Sequence, residues 1–124
     1  LWSESLDNAE SREFASAFQQ SYGRIPSPFA AVAYDLVLLL DAALAGTGGK
    51  VDDKAAVRRA IETVKFNSIR GNFSFNTNHY PLQDYYLTRV EKDPQGRLVN
   101  ALHGPIVRGL KDSYAALCQM PQLN

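Results

Sequence analysis

The chain has 124 residues, 45% apolar and 21% charged, with 13 basic and 13 acidic side chains in balance. That length is one ordinary domain's worth, enough to bury roughly two-thirds of the unfolded surface, and the composition is neither that of a disordered segment nor of a membrane-embedded one. A neutral balance argues against a nucleic-acid binder, which needs a basic footprint to release counterions, and against a polybasic membrane-surface patch.

The chain opens Leu1-Trp2-Ser3, without Met and without the features of a signal peptide, and reads as cut from something longer. Asp7-Asn8-Ala9-Glu10 has the form of a capping box, with Asp7 accepting from the backbone and Glu10 reaching back. Phe14, Phe18 and Tyr22 then recur every four residues on one face, and Gly23 supplies a stop, so a helix is expected over about 8–22. Ile25-Pro26-Ser27-Pro28 is a rigid connector in which Ser27 caps the next helix and Pro28 suits its first position. That helix, about 28–45, is apolar nearly all round, interrupted only by Asp35 and Asp41. Two carboxylates would be costly in lipid, so the expectation is a central, buried helix of a globular protein. Gly46, Gly48 and Gly49 end it, and Asp52 is the expected cap of a third helix, about 53–65, with Val57, Ala60, Ile61 and Val64 on its apolar face.

After Phe66 the pattern changes. Asn72 to Asn76 alternates as a strand does, and 76–81 reads as loop. Tyr85 to Glu91 has strand composition, Asp93-Pro94-Gln95-Gly96 is a turn, and Leu98 to Leu102 is the return strand. A separate short strand at about 105–108 and a one- or two-turn helix from Ser113 complete the expectation. The chain is thus three helices followed by a strand-rich tail. The apolar second helix needs more cover than these elements supply, which points to a partner: the remainder of a longer chain or a second copy.

Chemistry-bearing motifs are scarce. His79 and His103 stand 24 apart with no second ligand nearby, so no metal is expected. Asp35 and Asp41 point about 120° apart on a helix, which is no shared carboxylate face; each reads as a partner-bonded or rim-exposed acid. No nucleophile elbow, phosphate-cradling loop or dinucleotide fingerprint is present, and Gly46-Thr47-Gly48-Gly49 reads as a helix terminator. Asn72-Phe73-Ser74 matches the short, common glycosylation pattern. Tyr80, Tyr85 and Tyr86 with Phe73 and Phe75 could stack on a ligand, though cross-strand packing is the commoner role. The lone Cys118 is expected to be buried or a free thiol.

Taken in order, Tyr22-Gly23, then Pro26-x-Pro28-Phe29-Ala30-Ala31-x-Ala33-Tyr34-Asp35 with its Leu-rich run, the Asp52–Val64 helix, Arg70 to Asn76, and Pro81-Leu82-Gln83-Asp84-Tyr85-Tyr86-Leu87 with the Gly96 turn resemble the closing part of type I periplasmic solute-binding proteins of the leucine/isoleucine/valine-binding family. The ending Tyr114 to Met120 resembles one branch of it. The resemblance implies an α/β fold: a fragment of a two-lobed type I binding-protein fold, with residues 1–80 mostly in the N-terminal lobe and 81–124 returning to the C-terminal lobe. It implies a periplasmic, non-enzymatic component of an ATP-driven importer, without cofactor or metal. Its partners would be a membrane permease and a small amino acid or aromatic acid held between the lobes. Phe29, five before Tyr34, matches the family's aromatic ligand contact, and the small Ala30 beside it is a weaker candidate. The alternatives are a stand-alone, self-associating fragment with no working site, in which Phe29 would be buried in a core, and a ligand-sensing ectodomain of the same fold. An enzyme fits poorly, for want of a nucleophile and base.

Overall fold

The computed structural model describes residues 2–118 and 120. Three helices, α1 (Ala9–Tyr22), α2 (Pro28–Gly46) and α3 (Lys54–Thr63), are followed by three strands, β1 (Phe73–Phe75), β2 (Pro81–Lys92) and β3 (Leu98–Leu110), and a short 3-10 turn, Ala115–Leu117. The strands form one antiparallel sheet in the order β1-β2-β3.

Local chemistry sets the helix ends. The side chain of Asn8, not Asp7, caps α1 by accepting from Ser11 N–H at 2.7 Å. Asp7 instead pairs with Arg12, so the expected capping box does not form. Gly23 at φ +65° takes the left-handed conformation that closes α1, its N–H donating to the Gln19 carbonyl. Ser27 caps α2 as expected, its Oγ accepting from Ala30 N–H at 3.2 Å. Asp53, not Asp52, caps α3, accepting from Ala56 N–H at 2.9 Å, and that helix stops at Thr63, short of 65. Both cap misplacements have one cause: where two capping residues adjoin, the one whose oxygen reaches the backbone N–H three residues on takes the site.

The strands are longer than expected. β2 begins at Pro81, because Pro81 pairs with Phe75, and runs to Lys92. The two strands expected at 98–102 and 105–108 are a single strand, β3. It passes through Gly104-Pro105 by slipping register against β2 between Gln83 and Thr88. Gly104 at φ +111° absorbs the kink.

The core gathers Trp2, Leu6, Phe14, Ala31 and Ile69, with Phe18, Ala30, Leu38, Tyr86 and Leu102 packed against it. Edge-on contacts organise the rings: Trp2 stands 5.5 Å from Phe14 at 76°, and Trp2 Nε1 donates to Ser11 Oγ at 2.8 Å. Ser3 and Glu4 tie this opening segment to the hairpin, Ser3 Oγ donating to the Asn100 carbonyl and Glu4 accepting from Asn100 N–H.

The elements present leave most of α2 uncovered, as the mismatch between this apolar helix and the short tail leads one to expect. Only Ala31, Asp35, Leu39 and Ala43 are buried, a single stripe with a spacing of four. Val32, Tyr34, Leu36, Val37 and Leu40 lie exposed. The helix is long and apolar enough to cross a membrane by length and composition alone. The buried, fully hydrogen-bonded Asp35 fits an interior contact with protein better than one with lipid.

Candidate functional site

The start of α2 is held rigidly and presents one large ring. Pro26 is buried, Pro28 fills the first helical position, and Ser27 closes the end of the helix. Phe29 on this base is 87% exposed, so it is neither a core residue nor a helix-start staple within this chain. Ala30 turns the other way, packing against the core, and its N–H is engaged by Ser27.

Six residues along α2 from Phe29, the side chain of Asp35 is completely buried. Its Oδ2 accepts from Ser68 Oγ and from Arg70 Nε, both at 2.7 Å, and its Oδ1 accepts from Ile69 N–H at 3.0 Å. Asp35 is therefore the partner-bonded acid of the two readings, tying the 68–70 loop onto the helix. The Arg70 guanidinium carries the connection onward. Its Nη1 donates to Gln83 Oε1 at 2.9 Å, Gln83 Nε2 donates to the Tyr85 hydroxyl at 3.2 Å, and the guanidinium stacks 4.4 Å from the centre of the Phe73 ring.

The next residue on β2, Asp84, is also buried and faces β3. Its carboxylate accepts from Gly109 N–H at 2.8 Å and from Arg108 Nη1 at 3.5 Å. Tyr86 donates to it at 3.4 Å; burial pushes the Tyr86 phenol above its ordinary pKa and the neighbouring Asp84 carboxylate pushes it further.

The other expected candidates fall apart from this cluster. His79 and His103 each lean on a glutamate, Glu62 at 3.0 Å and Glu91 at 2.8 Å, and among the described residues no group of three metal-binding side chains converges. Phe66, Phe73 and Phe75 pack on one another, while Tyr85 and Tyr86 serve as hydrogen-bonding residues. Cys118 is exposed and free rather than buried. The role of Arg70 and Gln83 was not visible in the sequence, since their partners are 35 and 13 positions away along the chain and no spacing rule links them.

The sequence profile of the periplasmic binding proteins matches residues 1–95. This chain belongs to that family. Its fold is shared with solved structures. An ABC transporter substrate-binding protein from Sphaerobacter thermophilus aligns at 29% identity and TM-score 0.80, over 88% of this chain and 30% of that one. The solute-binding protein of an ABC transporter from R. palustris, in complex with benzoate, aligns at 32% identity and TM-score 0.77, over 96% of this chain and 31% of that one. A solute-binding protein from Rhodopseudomonas palustris BisB5, in complex with 3,4-dihydroxybenzoic acid, aligns at 30% identity and TM-score 0.80, over 90% and 30%. No protein of curated function matches. The chain spans about 30% of the length of these relatives and is a fragment of their two-lobed α/β fold.

Proposed function

We propose that these residues form the closing third of a periplasmic solute-binding protein that captures a small aromatic or apolar carboxylate between two lobes. The observation that carries the reading is Phe29: a large apolar ring, almost fully exposed, on a helix start that buried neighbours hold still. Such a ring on rigid backbone is a ready wall for an aromatic body, with little ordering left to do on binding. Two structural neighbours hold benzoate and 3,4-dihydroxybenzoic acid, which supports an aromatic acid over a branched-chain amino acid.

In this reading residues 1–80 belong mostly to the N-terminal lobe and 81–124 return to the C-terminal lobe. Phe29 packs on the ligand ring, and Ala30, small and turned inward, leaves room beside it. Lobe closure around the ligand is the signal that a membrane permease reads, and the protein performs no chemistry and needs no cofactor. The exposed apolar face of α2 also suits a self-associating fragment. The two-lobed reading accounts for it more simply, because the relatives are about three times longer and so have further chain with which to cover such a face.

The test is calorimetric titration of the full-length protein with benzoate, 3,4-dihydroxybenzoate and leucine. The aromatic acids are expected to bind and leucine to bind more weakly. Phe29→Ala should weaken benzoate binding by about 1–3 kcal/mol, the value of a lost aromatic contact. It should leave the melting temperature unchanged, since the ring is exposed. Unchanged affinity would remove Phe29 from the site, and no binding of any of the three would overturn the proposal.

A further inference from the structure

The polar network around Arg70 joins parts of the chain that the backbone does not join. Asp35 lies on α2, Arg70 on the loop after α3, and Gln83 on β2. At Gln83 and Asp84, two consecutive buried polar side chains divide the work: Gln83 binds back to Arg70, and Asp84 binds across to Gly109 on β3. Directly beyond this node the β2–β3 ladder loses its regularity, slipping register between Gln83 and Tyr85, again between Tyr85 and Tyr86, and again between Tyr86 and Thr88. A ladder that slips register is locally disrupted and bends its strand, so the irregular stretch of the hairpin starts at the fixed point.

We propose that the Asp35–Arg70–Gln83 relay is a positioning device: it sets the angle at which β2 leaves the helix that carries Phe29, and with it the balance between the open and closed forms of the binder. The inference rests on the two-lobed reading and assigns regulation to the same site. Arg70 suits the task because its planar guanidinium holds Asp35 through Nε and Gln83 through Nη1 at once, with Phe73 beneath fixing the plane. A lysine ammonium has no such fixed fork. None of the three residues is placed on the ligand; each acts through the orientation of Phe29 relative to the departing strand.

The test uses the full-length protein with Cys118→Ser, carrying spin labels at Ala55→Cys on α3 and Gln95→Cys in the hairpin turn. Both sites are exposed. Arg70→Met, Arg70→Lys and Gln83→Leu should broaden or displace the distance distribution between the labels without ligand. Gln83→Glu, which keeps the acceptor for Arg70, should leave it as in the wild type. The same loosening variants should weaken benzoate and 3,4-dihydroxybenzoate by a common factor, about 3- to 10-fold, because a shifted equilibrium taxes both ligands alike. A contact residue would alter the ratio between them. An unchanged distance distribution, with only a lowered melting temperature, would overturn the relay and leave the three residues as ordinary packing. If the wild type binds neither acid, the solute reading falls on its own, and the label distances still decide for or against the relay.

Discussion

Replacing Asp35 with alanine removes one carboxylate and strands three donors. The Ser68 hydroxyl and the Ile69 N–H are buried, and each unmet buried donor costs about 1–3 kcal/mol. Arg70 keeps partial access to solvent and its bond to Gln83, so its share is smaller. Together these give a loss of about 3–5 kcal/mol, the range found when one partner of a buried ion pair is removed. Asp35→Asn should cost less, about 2 kcal/mol, because one oxygen can still accept from Ile69 while the new amide confronts the Arg70 donor. The assay is urea unfolding of the full-length protein at neutral pH, followed by fluorescence of the buried Trp2. A double-mutant cycle with Ser68→Ala should show a coupling of at least about 0.5 kcal/mol. A loss under about 1 kcal/mol for Asp35→Ala, or no coupling to Ser68, would refute the account of Asp35 as the anchor of the 68–70 loop.

Gly104→Ala should lower stability by about 1–3 kcal/mol. Nothing crowds a methyl there, so the whole cost is the φ of +111°, and an unchanged or raised melting temperature would contradict the strain. The Asp93 turn should be acid-sensitive. Burial pushes its carboxyl up, but hydrogen bonds from Arg97 N–H, the Arg97 guanidinium and Gln95 N–H outweigh that and hold the pKa below the ordinary carboxylate value. A depressed folded pKa means the contribution is complete above the unfolded value, about 3.9, and is lost as pH falls through the lower folded one. Amide exchange at Gln95 and Arg97 should speed up across that window in the wild type, and in Asp93→Asn it should show no such step.

What the sequence made legible was whatever short-range rules govern. Helix α1 follows from Phe14, Phe18 and Tyr22 at intervals of four, and the start of α2 from Ser27-Pro28, because a cap and its target lie three residues apart. The order of three helices before the strands was readable for the same reason. The same rules blurred where two candidates adjoined, at Asp7-Asn8 and Asp52-Asp53, since the choice depends on the exact approach of the chain. The pattern of β3 reads as two pieces because Gly104-Pro105 interrupts it, and only the slipped pairing with β2 carries the strand through. Phe29 could be picked out only by resemblance, and its exposure is a tertiary fact. The Asp35–Arg70–Gln83 connection could not be read at all, since nothing local requires an arginine on a loop to meet a glutamine on a strand.

The position of β3 at the end of the sheet also bears on solubility. A strand of 13 residues with one edge unpaired among the described residues, and with exposed Leu98, Ile106 and Leu110, is a template on which other chains can add strand to strand. Its own irregularities work against that. Pro105 offers no N–H to an incoming strand, Gly104 and Gly109 turn the backbone out of the flat extended form, and exposed Arg108 sets a charge between Val107 and Leu110. The features that make this strand hard to read are thus the ones that keep its edge from seeding aggregates, and smoothing them toward an ideal strand would be expected to exchange solubility for regularity.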